Sequence, residues 1–245
     1  MFYLFLAAFL AFFSFFMPTS CNRVEITKDP VKELIQQAQK EPLFTILLFD
    51  MDKEGIFSKV YKHRYRIIKE ENGKVVAKDT KWYNVPVSYF QQNGNNLGME
   101  VAAKDSSQKV SRVVGPPGYT NYIGNPKYGY WSDGQLITTS PEQKPTAAFS
   151  TMVKDSVGYH SSSNPATDFW HFYPAYSNVR TLLQLPAGKI YQKEHKEARS
   201  HYYRGFIYYG IITSSGRRRY GTYSNHYRLN NYGKKWSRGG GGYGK

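Results

Sequence analysis

LFTILLFDMDKEGIFSKVYKHRYRIIKEENGKVVAKD, residues 43–79, decides the fold. The run Phe44 to Phe49 is apolar and β-prone, DMDKEG reads as a turn, and a second run extends from Ile56 to Ile68 with Lys62, Arg64 and Arg66 interleaved among apolar residues. Glu71-Asn72-Gly73 carries the Asn-Gly signal of a tight hairpin, because both central positions of that turn want a positive φ, and Val75-Val76-Ala77 begins the return strand. These signals predict antiparallel hairpins rather than the strand–helix alternation of a parallel sheet.

Outward from this stretch the pattern continues. Met99–Lys104 and Lys109–Val114 flank the polar loop 105–108, so residues 43–114 are expected to form an antiparallel sheet, with a short helix near Val87–Gln92. Upstream, Asp29-Pro30 is a helix start, with the carboxylate as cap and proline in the first turn. Val31, Leu34, Ile35 and Ala38 then share one face, and Glu41-Pro42 ends the helix. Downstream, Gly115-Pro116-Pro117-Gly118 breaks the sheet, and the segment to Gly134 reads as an ordered loop stapled by Tyr119, Tyr122, Tyr128 and Trp131. Thr167–Leu185 is expected to be a helix kinked or split at Pro174, and a charged helix, Ile190–Tyr203, follows. The expected class is α+β: a small antiparallel sheet of hairpins with a few packed helices, followed by a basic low-complexity C-terminal region. The divisions are 1–20, 21–28, 29–135 (β-rich), 136–203 (helical) and 204–245 (basic tail).

The chain opens MFYLFLAAFLAFFSFFMPTS before Cys21, the only cysteine. The apolar run is of signal-peptide length and short of the ~20 residues a membrane-spanning helix needs. Small Thr19 and Ser20 precede the thiol, and this resembles a bacterial lipoprotein signal peptide. The resemblance covers about the first 22 residues. It implies cleavage before Cys21, lipidation of that cysteine, and residence in the cell envelope. Asn22, in place of an inner-membrane retention aspartate, favours the outer membrane. A conventional cleaved signal peptide and an uncleaved anchor are the alternatives. With no second thiol, intramolecular disulfides, a cysteine nucleophile and a cysteine-based zinc site are excluded.

The net charge of +15 is unevenly spread. From Ala198 to Lys245 there are ten Lys or Arg and no Asp or Glu, interleaved with nine tyrosines. Arg217-Arg218-Arg219-Tyr220, Arg228, and Lys234-Lys235-Trp236-Ser237-Arg238 place cations beside rings, a pattern suited to single-stranded nucleic acid or an anionic membrane surface. The candidate polyanion-binding residues are therefore Arg217, Arg218, Arg219, Tyr220, Arg228, Lys234, Lys235, Trp236 and Arg238. The competing readings are a solvated tail that maintains solubility and a strand-rich extension of the core.

Catalytic patterns are weaker. ILLFDMDKEG, residues 46–55, resembles the first motif of haloacid-dehalogenase-type phosphatases, which implies Asp50 as nucleophile, Asp52 as acid/base and Mg²⁺ at the phosphate. That family follows the second aspartate with Gly and Thr, where this chain has Lys53 and Glu54, and a solvated hairpin turn is the expectation. The same residues partly match a calcium loop, but Tyr61 stands where the bidentate glutamate belongs. His160, Asp168 and His171 form no metal-ligand spacing, and Ser161, Ser162 and Ser163 lack a nucleophile-elbow setting. The functional expectation is a non-catalytic binding or structural envelope lipoprotein, without cofactor or metal. It would hold an anionic lipid, a glycan, a nucleic acid or an envelope protein. The alternative is a hydrolase with an unassembled Asp/His site.

Overall fold

The computed structural model describes residues 25–55, 58–132, 167–224 and Tyr227. Helix α1 (Pro30–Gln37) begins as its sequence dictates: the Asp29 carboxylate accepts the Lys32 N–H at 3.1 Å and Pro30 fills the first turn. Its Val31 and Leu34 are buried. Strands β1 (Phe44–Glu54), β2 (Val60–Glu71), β3 (Lys74–Asp79), β4 (Tyr83–Val85), β5 (Glu100–Lys104) and β6 (Val110–Ser111) make a six-stranded sheet. The order is β3-β2-β1-β5-β6, with β4 beside β2, and every pairing is antiparallel. The class is α+β. The Asn72-Gly73 turn joins β2 to β3 with φ of 51° and 75°, the left-handed pair the hairpin requires.

The central strand β1 is covered on both sides, so its neighbours fill two cores. Phe44, Ile46 and Leu48 pack with Val31, Leu34, Tyr65, Tyr83 and Phe90, the last on helix α2 (Val87–Gln92). Leu47 points to the opposite face, where Tyr119, Tyr122 and Tyr128 of the glycine- and proline-rich loop are buried. This loop is ordered by its aromatics, as expected. It is also tied to the sheet by Asn121, whose side-chain amide is directed at the Phe44 carbonyl (2.9 Å), the Thr45 hydroxyl (3.1 Å) and the Lys104 carbonyl (3.1 Å).

Two expectations are corrected. DMDKEG is not the turn: β1 continues through it to Glu54, which pairs with Val60. The physical reason is a bulge at Phe49. Leu48 pairs with Tyr65 but Asp50 with Arg64, so parity flips. Met51 thereby joins Leu48 in its core, while Asp50 and Asp52 turn to the opposite face, in register with Arg64 and Lys62.

Nor is Thr167–Leu185 a kinked helix. Phe169–Phe172 is strand β8, paired with β7 (Gly129–Ser132). A 3₁₀ turn (Pro174–Tyr176) and short helix α3 (Val179–Leu182) follow. Gly129 permits this pairing, since a Cβ there would sit 2.0 Å from the His171 carbonyl oxygen. The four residues alternate as a strand does: Trp170 contacts Phe172, and Phe169 contacts His171. Helix α4 (Gln192–Tyr203) is as expected and buries Glu194 and Ala198 against the second core.

Candidate functional site

Residues 204–224, after α4, fold back on the rest of the protein. Tyr209 donates its hydroxyl to Asn96 Oδ1 at 2.9 Å, and its carbonyl accepts the Tyr220 N–H at 2.9 Å. Between these anchors, residues 209–220 form a hairpin-like arm. Arg219 N–H meets the Ile211 carbonyl (3.1 Å), Thr213 N–H meets the Arg217 carbonyl (2.7 Å), and Ile212 bridges Arg218. Ser214, Ser215 and Gly216 make the exposed tip. At the root, Gly221 lies where a Cβ would come within 2.7 Å of the Asn95 carbonyl, at a φ of 88° that glycine alone adopts without strain. Thr222 hydrogen-bonds the Gly94 carbonyl.

Of the expected polyanion-binding residues, the structure separates two from the rest. Tyr220 is buried, with its hydroxyl 2.9 Å from that of Tyr119, so its ring offers nothing to a ligand. Arg219 is an internal residue: it pairs with buried Glu194 and donates to the Lys189 carbonyl at 2.8 Å. Burial pushes the Glu194 carboxyl up, against the pull of the Arg219 cation. Arg217 is half-buried, and Arg218 is exposed with its guanidinium 4.8 Å from the Tyr209 ring. Arg228, Lys234, Lys235, Trp236 and Arg238 lie outside the described residues, as do Cys21, His160, Ser161, Ser162 and Ser163.

The described basic surface is wider than the tail alone. From Lys189 to Arg219 there are eight Lys or Arg and two Glu. Both acids are engaged from within: Glu194 by Arg219, and Glu197 as acceptor of the Tyr208 hydroxyl at 3.1 Å. Lys189, Lys193, Lys196, Arg204 and Arg218 are exposed. Sequence reading overlooked the lysines of α4, which stand among acids in the chain, and it overlooked an apolar strip. Tyr203 is 69 % exposed, Phe206 58 % and Ile212 71 %, with Ile207 and Ile211 close behind. The run FIYYGII, residues 206–212, within a basic segment is the signal that marks it.

The acidic and histidine candidates do not converge. Asp50 and Asp52 lie on β1, each accepting the N–H of its own next residue (3.0 and 2.8 Å). Asp168 directly precedes β8, its carbonyl accepting the Gln192 N–H at 2.8 Å, and His171 lies in β8, where it stacks on Tyr130. A shallow cleft between the 114–120 loop and α4 is lined by Tyr119, Thr120, Arg199, Tyr202, Phe206 and Tyr208, and by none of these candidates. Glu100 lies buried near it, accepting the Gly118 N–H at 3.1 Å and the Thr120 hydroxyl, its carboxyl raised by burial to about 7. Among the described residues no cluster of His, Cys, Asp or Glu has metal-binding geometry, and no helix is long and apolar enough to cross a membrane.

Comparison of the chain with known protein families, with curated proteins and with solved structures found no match.

Proposed function

We propose that this chain is a non-catalytic binding or structural protein of the cell envelope, lipid-anchored through Cys21 at the outer membrane, that engages an anionic polymer or surface through its basic C-terminal half. In this reading a small hairpin sheet with packed helices serves as a platform for a basic C-terminal region.

The observation that carries the binding function is the internal use of both glutamates between Lys189 and Arg219. With Glu194 buried against Arg219 and Glu197 half-buried beside the Tyr208 hydroxyl, the exposed charged side chains of this stretch are cationic, and a surface of one sign attracts a polyanion by long-range field as well as by contact. The test is binding of a fluorescent single-stranded oligonucleotide, and of a sulfated glycan, by the full chain and by a variant with Lys193, Lys196, Arg204 and Arg218 all changed to Gln. Binding by the parent should weaken in the variant, and its salt dependence should flatten by about one power of salt for each contacting residue removed. Equal binding by both proteins would refute the assignment. For the anchor, Cys21→Ala should abolish incorporation of labelled fatty acid, and continued labelling would refute it.

A further inference from the structure

We infer that the arm formed by residues 209–220, with the Tyr203–Ile207 segment before it, docks on an anionic lipid surface, its aliphatic side chains entering the headgroup layer while the exposed Arg204 and Arg218 hold lipid phosphates. This rests on the polyanion-binding reading and narrows it to one partner.

Three observations select lipid over a soluble polyanion. The first is the chemistry of the exposed side chains. A single-stranded nucleic acid is held by bases stacking on free aromatic faces. In the arm the rings are committed: Tyr220 is buried and Tyr209 is covered by the Arg218 guanidinium. What residues 209–220 present is Ile211 and Ile212, which have no ring to stack on; just before them are Ile207 and two exposed rings, Tyr203 and Phe206, each with an arginine beside it (Arg199 at 4.7 Å and Arg204 at 6.0 Å from the ring centroids). Exposed aliphatics beside cations are the pattern of a surface that sits at a membrane interface, where long basic side chains reach back to the phosphates.

The second is the backbone. Groups entering a headgroup layer lose water, and unpaired N–H and C=O groups would oppose entry. The arm pairs its own: Arg219 to Ile211 and Thr213 to Arg217. Its root is fixed by Arg219–Glu194 and Tyr220–Tyr119, so little ordering accompanies docking.

The third is placement. Residues leading in from the N-terminus are pinned at Asn84, whose carbonyl accepts Thr27 N–H (2.8 Å) and whose amide donates to the Glu25 carbonyl (3.1 Å). The arm is rooted at Gly94–Asn96. These two points flank α2, a six-residue helix about 9 Å long, so with the Cys21 anchor proposed above the arm's root is tied to the chain close behind that anchor, and this placement rests on the anchor as well.

The test uses the full chain reconstituted in vesicles of phosphatidylcholine alone or with phosphatidylglycerol. Ile212→Trp introduces an indole, whose emission is read as the difference from the parent protein. The expected result is a blue shift and quenching by brominated lipid in phosphatidylglycerol vesicles, and little of either in phosphatidylcholine. A paired variant, Ile211→Ser with Ile212→Ser, should weaken protection of the arm from trypsin on anionic vesicles by roughly tenfold, and should weaken oligonucleotide binding far less. An indole that stays in water on both vesicles overturns lipid docking. If Arg218→Gln then still weakens oligonucleotide binding, the polyanion reading survives and the partner is a soluble polymer. If the chain binds neither vesicles nor oligonucleotide, both readings fall.

Discussion

Arg219, in the basic C-terminal region, forms a buried ion pair with Glu194 on helix α4. The pair fastens the arm to the second core and divides the arginine triplet by role: Arg219 holds the fold, and Arg218 faces solvent.

Removing one partner of such a pair strands a buried charge. Arg219→Ala is expected to lower unfolding stability by about 3 kcal/mol, and Arg218→Gln to change it by no more than about 0.5 kcal/mol. Urea denaturation of the two variants checks this, and equal effects would contradict the division. Truncation at Gly216 is a poor probe of binding for the same reason, because it also removes Tyr220 and Tyr227, one from each core.

Gly129→Ala should disrupt the two-stranded sheet, since the added Cβ meets the His171 carbonyl at 2.0 Å. The Trp131–Trp170 pair, 5.0 Å between ring centroids, reports on that sheet. Its near-ultraviolet circular dichroism should collapse while the far-ultraviolet signal of the main sheet persists. An unchanged near-ultraviolet spectrum would contradict the pairing.

Acid sensitivity follows from histidines and carboxyls that burial shifts. Burial lowers His63 from 6.5 to about 3, and burial, helped by the Arg199 charge, lowers His195 to about 4. Below pH 6.5 the unfolded chain takes up protons at both while the folded chain does not. Stability therefore falls with falling pH by up to about 1.4 kcal/mol per pH unit for each. Glu100 acts oppositely: burial raises it from 4.5 to about 7, so its contribution is complete below 4.5 and is lost as pH rises to about 7. Glu194, also raised by burial, acts in the same sense as Glu100, and His171, also lowered by burial, in the same sense as His63 and His195; the histidines outweigh the carboxyls between those values. Urea midpoints should fall on acidification, less steeply in His63→Gln, and they should change more steeply with pH in Glu100→Gln. A midpoint that rises toward acid would contradict these assignments.

Asp50 and Asp52 stand in register with Arg64 and Lys62 in the β1–β2 ladder, and each carboxylate accepts the N–H of the next residue, a structural use of both. Asp52→Asn should cost under about 1 kcal/mol, and neither Mg²⁺ nor Ca²⁺ should raise the melting midpoint of the parent protein. A midpoint raised by either ion, and lost in Asp52→Asn, would restore the metal-site reading.

What was legible in the chain was local. Asn72-Gly73 and Asp29-Pro30 declare a turn and a helix start within a few residues, and both stand. The bulge at Phe49 was not legible, because period-two reading assumes an unbroken register and DMDKEG is polar enough to pass for a turn. Strand β8 was missed because FWHF, residues 169–172, is aromatic throughout and shows no apolar–polar alternation, and its partner lies about 40 residues earlier in the chain. The functional surface was half legible. The absence of acids after Ala198 pointed to it, but the burial of Tyr220 and Arg219 and the exposure of Ile211 and Ile212 depend on how residues 209–220 fold back on Asn96 and Glu194.

The most direct test of the account is the affinity of the full chain for an anionic partner as a function of salt, measured with phosphatidylglycerol vesicles and with a single-stranded oligonucleotide. With three or four phosphates engaged on the oligonucleotide, log affinity should fall against log salt with a slope of roughly −2 to −3. On vesicles it should fall as screening grows and level off at a floor set by the aliphatic contacts. Affinity that does not change with salt on either partner would contradict a function based on the cationic surface.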